Sequence, residues 1–289
     1  AKVFINREFQ QQMTMGFMPE VVSIEQFITR ISKLESVDTI NLLFHFYTVY
    51  KKLEKQPVTF DVFSGWATTV LQDFNEIDQH LVDTKDIFAY VRDIQRLRKW
   101  SVKGEFQETE FIKNHHSFLE KLNDLYQHFT EYLLKKGIGY QGLLYRTACK
   151  RLSEYLQKKG DYHYYFVGFN ALNKAEEYLF QTILATTPSN IYWDIDQRFL
   201  EGNHQAGKFI RKYQKEWRYF EQNSFKFLGN NFTGEKQIEI IGASKNITQV
   251  KHAAEHLSKL NDISKTALVL SDETLLPICI NSLPENVSF

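Results

Sequence analysis

The sequence predicts an α/β protein: a parallel sheet with a large helical insertion, followed by the start of a second α/β domain. Three observations predict it. The stretch Tyr164–Phe180, YYFVGFNALNKAEEYLF, followed by NIYWDID at 190–196, reads as strand, turn, capped helix, strand, a parallel β-α-β unit of the nucleotide-binding kind. Residues 36–158 hold long runs with apolar residues at helical spacing and few breakers. After about residue 236, IEIIG (238–242) and TALVL (266–270) each precede a helical pattern, and such alternation implies right-handed crossovers in a parallel sheet.

Taken in order, residues 3–13 read as a short helix. Val21 and Val22 form an extended entry, and Ser23 caps a helix over 24–33 with Gln26 as its capping-box partner. Asp38 opens a helix through Leu53, with apolar residues at 40, 43, 44, 47 and 50. Thr59 or Asp61 opens the next, where Phe63, Trp66, Ala67, Val70, Leu71, Phe74 and Ile77 recur at helical spacing. Asp83 or Thr84 caps a helix over 87–100. A polar, glycine-bearing stretch at 101–110 separates it from two long helices, about 111–136 and 141–158, with Gly137 at the break between them. In the β-α-β unit Asn173 caps the helix, with Glu176 three residues on. Gly207–Phe220 reads as a helix rich in Arg, Lys and aromatics, and 223–236 as a linker. Helices follow over 247–260 and 273–283, with Pro277 tolerated in the first turns of the last. The expected organisation is thus a large helical block, about 36–158, next to one α/β unit, a linker at 223–235, and the start of a second α/β domain after about 236.

At 289 residues the chain is long for one core. Apolar residues make 43% of it and aromatics 15%, enough for real cores, while 13 Gly and 5 Pro leave room for long elements. Basic and acidic residues balance at 35 each, which argues against a broad basic coat for nucleic acid but leaves room for a local basic face. Cys149 and Cys279 fit neither a metal spacing nor a disulfide framework, and a reducing cytoplasm is the simplest home. No transmembrane run or signal peptide is present, so the sequons at Asn231, Asn246 and Asn286 are read as chance. Ala1 opens almost directly into helix-like sequence and NVSF at 286–289 reads as a strand beginning. A piece of a longer polypeptide is therefore expected.

Several motifs invite chemistry. Gly202–Phe209, GNHQAGKF, nearly matches the phosphate loop GxxxxGK[ST]. Phe209, however, replaces the hydroxyl that holds magnesium, and the loop does not follow directly from a strand, so loop glycines are the simpler reading. Asp194 and Asp196 sit past a strand end where metals are often held, but two carboxylates underfill a hard-cation site and Asp favours turns. Asp83-Thr84-Lys85 matches half of a nuclease motif and reads as a helix cap. His115 and His116 are helix neighbours that point about 100° apart. Asp73, Glu76, Asp78 and Asp83 read as the outer face of a helix. Arg92, Arg96 and Lys99 form one helical stripe. Arg211, Lys212, Lys215 and Arg218 form a second, interleaved with Tyr213, Trp217 and Tyr219. Guanidiniums beside aromatics suit single-stranded nucleic acid; the competing reading is a solvated face with Trp217 buried.

The ordered set of segments resembles AddB-type subunits of bacterial helicase–nuclease complexes, inactivated superfamily I helicases with a C-terminal PD-(D/E)xK nuclease domain. FVGFNALNKAEEYLF carries the resemblance. With it go VVSIEQFI (21–28), WATTVLQDFNEID (66–78), GYQGLLYR (139–146), IYWDID (191–196), HQAGKFIRKY (204–213) and the run from 238 to 284. The resemblance implies a degenerate P-loop-NTPase sheet: residues 1–35 and 159–222 as a remnant of the first motor domain without its upstream phosphate loop, and 236–289 as the start of the second. In active motors the strand matching Tyr165–Phe169 ends in two acids that handle magnesium and water. Here Val167, taken as a buried-strand residue, stands at that point, which implies lost ATPase chemistry. The resemblance further implies DNA and an AddA-like motor-nuclease subunit as partners, no cofactor for this segment, no membrane, and a nuclease domain beyond Phe289. Two alternatives stay open: an active DNA helicase that has lost its phosphate loop by truncation, and a purely structural protein-interaction module.

Overall fold

Side-chain caps set the first helices of the chain where the sequence marks them. Ser23 Oγ accepts from the Gln26 N–H at 3.2 Å and Gln26 Oε1 accepts from the Ser23 N–H at 3.2 Å, which closes the capping box of α2 (Ile24–Ser32). Asp38 does the same work for α3 (Thr39–Leu53), accepting from the Asn41 N–H at 3.0 Å. The computed structural model describes residues 2–12, 18–84, 110–160, 162–264 and 266–283, with backbone alone at 2–4, 110–120, 227 and 228. The chain divides into two units, Ala1–Phe232 and Thr233–Phe289.

In the first unit a short α1 (Lys2–Gln12) precedes α2 and α3. Helix α4 spans Phe60–Gln79, α5 Glu110–Lys136 and α6 Gln141–Lys159. Strand β1 (Glu35–Ser36) pairs in parallel with β2 (Ile138–Gly139), joining the start of the helical block to its end. Next come β3 (Tyr165–Val167), α7 (Lys174–Thr186) and β4 (Asn190–Asp196), with β3 and β4 parallel, so this stretch is a β-α-β unit. Three short helices, α8 (Gln197–Glu201), α9 (Lys208–Glu216) and α10 (Tyr219–Gln222), lead to β5 (Phe227–Gly229), which pairs in parallel on the other side of β4. The order is β3-β4-β5.

One continuous cluster of buried side chains runs from Phe27 to Trp217, through the helical block and the sheet alike. The block and the α/β part therefore share a core. Phe46, Phe63, Phe74 and Phe129 lie fully buried at its helical end and Trp193, Tyr213 and Phe180 at its sheet end. Each such ring contributes on the order of 1.5–3 kcal/mol by leaving water.

Other expectations are corrected. Helix α3 is apolar on more than one side, and packing with α4 and α5 selects Leu42, Phe46, Val49 and Tyr50 for burial. Ile40 and Phe44, expected inside, are 68% and 53% exposed. Asp78 is fully buried and does not lie on the outer face of α4. The helix expected over 207–220 breaks at Trp217, whose backbone is extended. Part of the expected linker is structure of the first unit: β5 lies in it, Phe225 stacks toward Trp193, and the Phe232 N–H donates to Asp196 Oδ2 at 2.8 Å. Its polar and glycine content hid a strand of three residues.

The second unit holds α11 (Asn246–Ser258), a 3₁₀ turn (Glu273–Leu275) and α12 (Leu276–Ser282), with Pro277 near the start of α12. Val250, Leu275 and Cys279 form its buried cluster. The strands expected at 238–242 and 266–270 do not form among the described residues: Ile240 is 92% exposed and Val269 84%. A strand is stabilised by ladder neighbours and a covered face, and two short segments beside so small a core have neither. Residues 233–236 lie exposed at the division between the units. Limited trypsinolysis should therefore cut first at Lys236 and leave a fragment ending there; a first cut within 24–79 would contradict this division.

Candidate nucleic-acid interface

The end of β3 is where hydrolytic chemistry was sought. Val167 sits there, 51% exposed rather than buried, and Gly168 follows in a left-handed turn with φ +80°. The start of α7 is closed by its own residues: Asn173 Oδ1 accepts from the Glu176 N–H at 2.8 Å, and Glu176 Oε2 accepts from the Asn173 N–H at 3.0 Å. Tyr145 Oη donates to the other Glu176 oxygen at 2.9 Å, tying α6 to this cap.

At the end of β4, Asp196 uses both oxygens locally. One caps α8 through the Arg198 N–H at 3.0 Å and the other accepts from the Phe232 N–H. That matches the turn reading of this residue. Asp194 is exposed, and among the described residues no three His, Cys, Asp or Glu side chains come together as a metal site would require. Asp83 is exposed, and Lys85, the basic member of its motif, lies outside the described residues, as do the side chains of His115 and His116. The Cys149 thiol is pushed up to about 12 by burial, which leaves it protonated and unreactive at neutral pH.

Residues 202–209 follow α8, not a strand. His204 Nδ1 accepts from the Ala206 N–H at 3.1 Å, and 205–207 form a 3₁₀ turn. Gly207 is required by packing: a Cβ would collide with the Phe199 carbonyl. Arg211 staples the same loop, donating to the carbonyl oxygens of Phe199 and His204. This is a self-satisfied loop, not an open cradle of N–H groups.

Helix α9 buries Ile210 and Tyr213, while Lys208, Lys215 and Glu216 are exposed. The expected base-stacking role of Trp217 is corrected here. Trp217 is 3% exposed, with ring centroids 4.9 Å from Tyr213 and 5.9 Å from Trp193, so it has no free face for a base. Arg211 is likewise engaged by the loop. Lys212 lies 3.5 Å from Glu177 and 3.8 Å from Glu216. Glu177 also accepts from Lys174, whose ammonium it holds above the ordinary lysine range. Lys215 and Arg218 are exposed. Arg92, Arg96 and Lys99 lie outside the described residues.

Sequence reasoning missed the outer face of the sheet. Tyr165 is 60% exposed, its ring stacks on Tyr192 at 6.5 Å, and Lys226 Nζ lies 5.2 Å from the Tyr192 centroid. The alternation in YFV and NIYWDID was the available signal. No protein-family model and no curated protein matches this sequence. Among the described residues no helix is long and apolar enough to cross a membrane.

Proposed function

We propose that this chain is a non-catalytic, helicase-like scaffold of a DNA double-strand-break-repair helicase–nuclease. In this reading it works in the cytoplasm, contacts DNA, and docks on an AddA-like motor-nuclease subunit. Cleavage belongs to a PD-(D/E)xK domain outside this sequence. The supporting observation is the β3–α7–β4 unit whose strand end carries Val167 where hydrolysis needs a carboxylate to organise cation and water. The self-satisfied loop at 202–209 supports it too. The DNA surface here narrows to Lys215 on α9 and Arg218 just beyond its end, with Lys212 partly neutralised by its glutamates.

Titration of a labelled single-stranded oligonucleotide over a range of salt tests this. Affinity should be weak and fall with salt, because each phosphate contact releases condensed counterion. A Lys215/Arg218 double alanine variant should lower the log–log salt slope by about 1.4, at about 0.7 per contact. Equal slopes for the two proteins would remove α9 from the DNA site. Magnesium-dependent ATP turnover abolished by Lys208→Ala would overturn the non-catalytic reading and favour a truncated helicase.

One observation favours a protein-interaction role alongside. Phe44 and Phe60 stack at 4.9 Å with their planes 2° apart, beside exposed Ile40, so the α3–α4 pair presents an apolar surface.

A further inference from the structure

The open face of the β3-β4-β5 sheet is set by alternation and register. Ile191, Trp193 and Ile195 are buried on one side of β4, so Tyr192 and Asp194 occupy the other. On β3, Phe166 is buried while Tyr165 and Val167 face out. Trp193 pairs with Phe227, which brings the preceding Lys226 alongside Tyr192. Lys226, just before β5, Tyr192 and Tyr165 thus form a diagonal line on this face, Tyr192 having Val167 as its register partner, linked by the cation–ring approach of 5.2 Å and the ring stack of 6.5 Å at 24°.

Parallel sheets ordinarily have both faces covered by helices, and a face built for that purpose is rich in branched aliphatics. This face instead offers phenol rings with an ammonium beside them. Bases stack on such rings regardless of sequence, and a neighbouring cation meets the phosphate. Asp194 lies one pleat beyond Tyr192 and is exposed. Its charge repels phosphate, so the backbone of a bound strand runs on the Lys226 side.

We propose that this face binds single-stranded nucleic acid, with bases stacked on Tyr165 and Tyr192 and a phosphate held by Lys226. The proposal rests on the nucleic-acid reading but names a surface other than α9.

The test uses a labelled oligo-dT and the whole chain. A Tyr165→Ala/Tyr192→Leu variant should bind about tenfold or more weakly, the loss that follows from removing a stacking ring. Tyr165→Phe/Tyr192→Phe should bind as the parent does, because stacking needs the ring and not the hydroxyl. Asp194→Asn should bind more tightly. In the parent protein, oligonucleotide carrying 5-bromouracil should photo-crosslink to peptides containing Tyr165 or Tyr192, a readout that survives any folding defect in the variants. Unchanged affinity of the Ala/Leu variant, with crosslinks elsewhere, overturns the platform. If Lys215/Arg218 replacement still weakens binding in that case, the DNA reading stands without it. Absence of binding by the parent protein at low salt overturns both. A dimer abolished by Tyr165→Ala at unchanged DNA affinity would assign the face to a second copy of the chain.

Discussion

Replacing Arg146 with alanine is expected to destabilise the first unit by about 3–5 kcal/mol, the range for breaking a buried ion pair by removing one partner. Asp78 is wholly buried on α4, and its carboxylate accepts from Tyr126 on α5, Tyr140 before α6, and Arg146 Nε on α6. The same guanidinium donates to the carbonyl oxygens of Ile77 at 2.9 Å and Val82 at 2.7 Å. Alanine would strand one charge and two carbonyls at once. Urea unfolding measures the loss, and a change below about 1 kcal/mol, the surface-pair range, would refute the buried node. The pH dependence has a definite sign. Burial holds the Asp78 carboxyl above its ordinary value of 3.8, against the phenol donors and Arg146, which pull it down. The folded state therefore binds the proton more tightly than the unfolded chain, and stability declines as pH rises from that value through the native one. Without Arg146 the carboxyl is raised further, so the deficit should be larger toward neutrality than in acid. Asp78→Asn should remove this part of the pH slope.

Gly142→Ala is the second large effect. Helices α4 and α6 meet at Gly142, whose N–H donates to Asn75 Oδ1 at 2.7 Å. A Cβ there would overlap the Asn75 backbone carbonyl and lie 3.0 Å from Asp78 Cβ. The obstacle is helix backbone and cannot rotate away, so the cost falls at or above the top of the usual overpacking range of about 1–3 kcal/mol. Gly65→Ala provides the contrast. Gly65 is exposed within α4 and a Cβ would meet nothing within 4 Å, so helix propensity alone acts and stability should rise by about 0.5–1 kcal/mol. Opposite signs in thermal melts check both; a Gly142→Ala variant as stable as the parent would mean that α4 and α6 do not meet as described.

The legible parts of this fold are those fixed by local chemistry. Ser23 with Gln26, Asp38, and Asn173 with Glu176 mark helix starts because the capping partner lies within three residues. The buried face of α4 was legible because one apolar stripe dominates it. Helix α3 carries two such stripes, and only its neighbours choose between them. Asp78 read as solvent-facing because its partners lie 48, 62 and 68 residues away. In the candidate site, Lys215 on α9 and Arg218 beyond its end were legible as exposed charges. For Trp217 the sequence left base stacking and burial open, and its contact with Trp193 in β4 decides for burial. The sheet face was missed because its residues come from two strands and from Lys226 at the entry to a third, inside a supposed linker.

The pairing of β1 with β2 has a consequence for how this chain could change over time. Residues 37–137 leave and return at adjacent points, held by a two-residue parallel bridge. Extra length within such an excursion is cheap, roughly 0.6 kcal/mol per doubling of a flexible loop, so the segment is free to lengthen. It is not free to disappear. Asp78 lies inside it while Tyr140 and Arg146 lie outside, and Phe46, Phe63 and Phe129 belong to the same core as Leu144 and Phe180. Deleting 37–137 would break the parallel pair, which needs a crossover of about a dozen residues or more, and would leave a bare apolar side on α6 together with an orphaned guanidinium. Lineages of this chain should therefore vary the excursion in size while always retaining it.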